Sequence, residues 1–170
     1  MDLQLVKMGP KYREMAEDMI HEWKASGEAI IPGAIDRADI HDFPAYLDSL
    51  EVTKAVPGMV PDSTFFCLDK ERDLLVGAIN IRHYLNDGLL KFGGHMGDGV
   101  RPSERRKGIA TRMIALGLEE CKKLGISRVL MVCKKENTGS AKSIINNGGI
   151  LENELEKEDG TVMQRYWITL

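Results

Sequence analysis

The segment Val100-Arg101-Pro102-Ser103-Glu104-Arg105-Arg106-Lys107-Gly108-Ile109-Ala110-Thr111 joins a glycine-rich apolar stretch to a long amphipathic one. A strand that runs into a basic loop, then glycine, then a helix aims the unpaired N–H groups of the first helical turn into the same space as the arginines. That construction is an anion site suited to phosphate. Gly108 permits close backbone approach, and the small Ala110 leaves the donors unobstructed. The chain has no Gly-Lys pair for a Walker A loop and no GxGxxG, so ATP and dinucleotides in their usual pockets are excluded.

Downstream of this loop, Ala110, Ile114, Gly117, Cys121 and Leu124 form the apolar stripe of a helix that ends at Gly125. Val129 to Cys133 is a continuous apolar run, the mark of a strand covered on both faces. The sequence predicts a short helix capped by Thr138 and running through Asn147, then strands Ile150 to Leu155 and Val162 to Leu170 around the turn Lys157 to Gly160. Upstream, Leu90 to Val100 reads as a strand, preceded by a hairpin of Thr64 to Leu68 and Leu74 to Tyr84. Asp2 to Met8 reads as a first strand, and Tyr12, Met15, Ala16, Met19, Ile20 and Trp23 make the core face of a first helix. Residues 24 to 62 read as proline-punctuated loop with one short helix near Phe43 to Val52. The order implies an α/β (α+β) fold, a mixed sheet with helices on both faces.

At 170 residues the chain suits one domain spanning 1 to 170, and 43% hydrophobic with 29% charged residues excludes disorder and rods. No segment is apolar enough to span a bilayer, and the N-terminus lacks a signal peptide's features, so a cytoplasmic protein is expected. Cys67, Cys121 and Cys133 read as reduced core thiols, and His21, His41, His83 and His95 show no metal-ligand spacing. The net charge of −3 divides unevenly: residues 1 to 62 carry 12 acids against 6 bases, and residues 63 to 170 carry 14 against 17. Nucleic-acid binding is disfavoured by the overall acidity and by aromatics at 6%.

Arg105-Arg106-Lys107-Gly108-Ile109-Ala110 matches the Arg/Gln-x-x-Gly-x-Gly/Ala pattern of the GNAT acyl-CoA N-acyltransferases. With Asn137 followed at three residues by Ser140 and at eleven by Gly148, the chain resembles that family firmly from about Leu74 to its end and loosely over residues 1 to 62. The passages GGHMGDGVRPSERRKGIA (93 to 110), NTGSAKSIINNGG (137 to 149) and RYWI (165 to 168) look like a bacterial subgroup of acetyltransferases.

The resemblance implies a mostly antiparallel sheet of six to seven strands, splayed at its centre, and acetyl-CoA as cosubstrate with no metal. The pantetheine arm would lie along Asp98, Gly99 and Val100, and the pyrophosphate on the N–H groups of Arg105, Arg106, Lys107, Gly108, Ile109 and Ala110, with Thr111 near. Arg101, Arg106, Lys107 or Lys142 would screen the 3′-phosphate, and Asn137 and Ser140 match positions near the pantetheine or departing sulfur. An amine nucleophile must lose a proton, and His95, with Asp98 as second choice, is the expected base. Ile144 stands where many relatives have an acidic tyrosine. Ser140, Tyr166 or unassisted thiolate departure therefore remain open for the leaving group. The expected acceptor is a small-molecule or protein amine, drawn by an acidic N-terminal rim if cationic. A non-catalytic acyl-CoA-binding module is the alternative, and dimerisation through the C-terminal strand stays open.

Overall fold

Period-two alternation in the first half of the chain buries one side chain above and the next below the same sheet. A computed structural model describes residues 1–170. In it β1 (Leu3–Val6), β2 (Glu51–Val52), β3 (Asp62–Asp69), β4 (Leu74–Arg82) and β5 (Met96–Val100) form a five-stranded sheet, ordered β1-β3-β4-β5 with β2 on β3. A second sheet, ordered β6-β8-β7, contains β6 (Arg128–Lys134), β7 (Ile150–Glu156) and β8 (Val162–Thr169). All strand pairs are antiparallel. The strand beyond the expected six to seven is the two-residue β2, formed where the helix near Phe43 stops early.

Helices α1 (Arg13–Ala25) and α2 (Phe43–Ser49) pack Met19, Trp23 and Tyr46 against Phe66, Leu68 and Ala78 on one face. On the other, α3 (Ile109–Lys123) and α4 (Thr138–Ile145) pack Met113, Ile114 and Ile144 with Cys67, Ile79 and Met131. Cys67, Cys121 and Cys133 are free and buried. No helix is long and apolar enough to cross a membrane.

Two local expectations change. Leu89–Gly93 is a π turn rather than the start of β5, closed by the Gly94 N–H on the Leu89 carbonyl at 2.6 Å. Its outward carbonyls are held by arginines: Arg82 reaches Gly93 and Gly94, and Arg165 reaches Leu90. Such side-chain capping makes a turn from residues whose composition reads as strand. The cap of α4 is Asn137, whose Oδ1 accepts the Ser140 N–H at 3.1 Å, not Thr138.

The two sheets meet at one place. The His95 N–H donates to the Leu130 carbonyl at 2.7 Å, and the Leu130 N–H donates to His95 Nδ1 at 2.9 Å. Beyond it β5 pairs only with β4, and β6 only with β8. The splay between β5 and β6 positions the site.

Candidate functional site

The loop after β5 turns through Pro102–Glu104 and then twice enters left-handed backbone, at Arg106 (φ 62°) and Gly108 (φ 76°). A Cβ at Gly108 would meet nothing within 4 Å, so glycine is needed there for conformation rather than space. The alternation of right- and left-handed residues turns successive N–H groups toward one side, and α3 adds its positive end. From Arg106 to Thr111 none of the six N–H groups has an acceptor in the chain, and Gly108 supplies no side-chain cap.

The basic residues of the loop have divided duties. Arg101 is 7% exposed and pairs with Asp18 at 2.6 Å and Glu22 at 2.5 Å of α1, leaving Nη1 buried without a partner. Glu22 also accepts the Ser103 N–H, and its carboxyl lies below the usual range because these hydrogen bonds outweigh burial. Arg105 donates to the Val100 carbonyl, pairs with Glu28 at 2.6 Å and lies over the Trp23 ring. Lys107 pairs with buried Glu104, which Arg72 grips with both nitrogens at 3.1 and 2.7 Å. Arg106 and Lys142 are exposed and have no ion pair within the chain.

The acidity of residues 1 to 62 is likewise engaged: Asp2, Glu17, Asp18, Glu22, Glu28, Asp36, Glu51 and Asp62 all sit in ion pairs. Asp2, Asp18, Glu22 and Glu28 pair across the charge division with Lys70, Arg101 and Arg105.

The open edge of β5 follows from its register. Arg101 N–H bonds Val76 O, and Gly99 pairs with Ala78, so odd-numbered residues bond β4 while Asp98 and Val100 turn their backbone groups toward the splay. Gly99 faces α1: a Cβ there would lie 1.9 Å from the Ile31 carbonyl and 2.9 Å from Trp23. The Asp98 side chain is raised to about 6 by burial, with its own N–H opposing the shift. Its charge reaches the Cys133 thiol, which burial pushes up while the Ser140 hydroxyl pulls it down. Tyr166 is 3% exposed, donates to Gln164 at 2.8 Å and is raised by burial and by neighbouring Cys133. The splay thus gathers Asp98, Ser140 and Tyr166 around Cys133.

His95 is placed differently. Its Nδ1 lone pair is filled by the Leu130 N–H, and burial with the Arg82 charge lowers the ring to about 4. It is neutral near pH 7, with the proton on Nε2, and no lone pair is left to take another. Ile144 is 1% exposed inside the core. The sequence reading passed over Arg82 and Asn80; a polar residue inside the apolar run Leu74–Arg82 was the available signal.

Two antiparallel sheets splayed between β5 and β6, with a run of unpaired N–H groups at the start of a helix, make up the fold and its candidate site. The description Acetyltransferase (GNAT) family matches residues 20–143. The chain belongs to the GNAT acetyltransferase family. Among solved structures it is similar to the microcin C7 self-immunity acetyltransferase MccE in complex with acetyl-CoA and AMP, at 18% identity and TM-score 0.69, covering 99% of this chain and 93% of that one. A Salmonella typhimurium acetyltransferase that modifies the N-terminal serine of a 50S ribosomal subunit protein superposes at TM-score 0.67 and 13% identity, covering 99% and 95%. The dodecameric spermidine N-acetyltransferase of Vibrio cholerae gives 0.68 and 14%, covering 98% and 93%. No curated protein sequence matches the chain.

Proposed function

We propose that this protein is an acetyl-CoA-dependent N-acetyltransferase that moves the acetyl group directly to a primary amine in a ternary complex. The observation that carries the reading is the run of six unpartnered N–H groups, Arg106 to Thr111, joined directly to a strand edge where the Asp98 carbonyl and the Val100 N–H face the splay without a partner. A pyrophosphate fits the first, and an extended amide-bearing arm fits the second as an added strand. Arg106 and Lys142 are the cations free to meet a further phosphate. The backbone N–H near Val100 would polarise the thioester carbonyl and hold the oxyanion.

Asp98 is our choice for the base. A carboxyl at about 6 is mostly ionised at neutral pH and is still a better proton acceptor than an ordinary aspartate. The amine nitrogen forms a bond to the thioester carbonyl carbon, its proton passes to Asp98, and the C–S bond breaks with its electron pair on sulfur. Ser140, half-buried on the first turn of α4, would return a proton to that thiolate; its hydroxyl is shared with Cys133, and the Tyr166 hydroxyl donates to Gln164. His95 is a positioning residue that locks β5 to β6.

The burial of Ile144, which leaves α4 without a phenolic acid, favours the second reading of a non-catalytic acyl-CoA-binding module. One experiment separates them: thermal shift with millimolar acetyl-CoA, then thiol release across a broad amine panel. Stabilisation with amine-dependent thiol release supports transfer. Stabilisation with no release on any amine supports the binding module, and no stabilisation of folded protein refutes both.

A further inference from the structure

The α1/α2 face of the five-stranded sheet carries a polar row next to the splay. Thr64 on β3, Asn80 on β4 and Gly97 on β5 are direct cross-strand neighbours. Arg82, two residues beyond Asn80 on the same face, lays its guanidinium over Gly97: Nη2 and Nη1 lie 3.2 and 3.3 Å from where a Cβ would stand. Only Nη1 is bonded, at 3.3 and 3.5 Å to the Gly93 and Gly94 carbonyls. Nε and Nη2 have no acceptor in the chain, and no carboxylate pairs with Arg82.

The other two enclosed arginines, Arg101 and Arg165, both have carboxylate partners. Asp62, the acid whose charge reaches Arg82, is already taken by Arg37 and by the Val52 N–H. Beside this unpaired cation, Asn80 is 1% exposed; Nδ2 donates to Thr64 Oγ1 at 3.0 Å, which turns Oδ1 away from β3, and Oδ1 has no partner. A half-buried guanidinium with two free donors next to an orphaned amide oxygen is complementary to a group that is anionic at one end and donates at the other. The row lies beside the open edge of β5, and Asp98, the next residue along that strand, turns its side chain to the opposite face, toward Cys133.

We propose that the acceptor carries a carboxylate beside its amine, held by Arg82 Nε and Nη2, with Asn80 Oδ1 accepting a hydrogen bond from the amine. This inference rests on the transfer reading above and names its substrate class as amino-acid-like amines. The engagement of most N-terminal acids in ion pairs removes the principal argument for a cationic acceptor.

The test titrates protein saturated with coenzyme A, by calorimetry, with each natural α-amino acid and with the amine left when its carboxylate is removed. A carboxylated member should bind about tenfold tighter or more than its partner, the difference expected for a charge-assisted pair. Arg82→Gln should bring that ratio to about one, and Arg82→Lys, which keeps the cation without the fork, should give an intermediate ratio. Equal or tighter binding of the decarboxylated amines, a ratio unchanged in Arg82→Gln, or no binding by either member of any pair would overturn the proposal. If Arg82→Gln does not fold, the wild-type ratio alone decides. Failure of the transfer reading is separate, because it shows as absent stabilisation by acetyl-CoA or absent thiol release.

Discussion

Replacing Asp98 by Asn should make the free protein more stable and less active, and the sign of each effect can be worked out in advance. The Asp98 carboxyl is raised from the ordinary 3.8 to about 6 by burial. Below about pH 3.8 it is protonated whether the chain is folded or not, and it costs the fold nothing electrostatically. As pH rises from 3.8 to about 6 the unfolded chain takes up the charge while the folded chain does not, so stability is lost over that window and is constant above it. The full difference is about 3 kcal/mol at pH 7.5. Asn still buries an amide, which leaves a gain of about 2 kcal/mol, or roughly 4–8 °C in Tm for a chain of this size. Differential scanning fluorimetry of both proteins from pH 4 to 8 measures it. The advantage of Asp98→Asn should be full above pH 7 and vanish near pH 4. Thiol release at saturating acetyl-CoA should fall on the order of 10²-fold or more, and the wild-type rate should rise with pH through about 6. An Asn variant no more stable at pH 7.5 than at pH 4 would show that the carboxyl is not enclosed. Unchanged turnover would remove Asp98 from the chemistry.

Three further outcomes follow from the same geometry. His95→Phe deprives the Leu130 N–H of its acceptor and should cost about 1–3 kcal/mol of stability by denaturant melt, with His95→Gln restoring part of it. Because the ring is lowered to about 4 from an ordinary 6.5, the wild type should also lose about 3 kcal/mol between those pH values, a loss absent in the Phe variant. Glu22→Gln leaves buried Arg101 with Asp18 alone and should destabilise by about 2 kcal/mol, reduced from the fully buried case because Glu22 is partly exposed. Gly108→Ala forces a Cβ into left-handed backbone, costs about 1 kcal/mol, and should weaken acetyl-CoA binding measured by thermal shift more than it lowers the melting temperature of the free protein.

What could be read from the sequence was set by local physics. The α1 stripe Tyr12 to Trp23, the buried run Val129 to Cys133, and the Gly108 start of α3 each announce themselves through period or backbone demand, and each is present in the fold. The run of unpaired N–H groups was legible for the same reason: a helix start leaves its first N–H groups without acceptors, and the glycine-broken loop before it adds more. What was hidden depended on which distant groups meet. Arg101 read as a ligand cation because its partners, Asp18 and Glu22, lie about eighty residues away on α1. His95 read as a base because its imidazole is chemically suited, yet the Leu130 N–H that fills its lone pair comes from the other sheet.

Arg82 shows the converse. At the end of the run Leu74–Arg82 it looks like a strand terminus reaching solvent. Only the register, which sets Asn80 opposite Gly97 and lays the guanidinium over that glycine, shows a cation held half-buried with no acid to meet it. Burying an unpaired cation costs stability, and burying an ionised Asp98 costs more. Both costs fall on the same stretch of β4 and β5, on opposite faces of the sheet, while Asp18 and Glu22 of α1 pair with Arg101 of the loop. Outside the loop, where Arg101 Nη1 is also left without a partner, this stretch leaves a cation, a carboxylate and an amide oxygen unmatched together. The free energy a correctly charged acceptor would release there is the free energy the unliganded protein lacks.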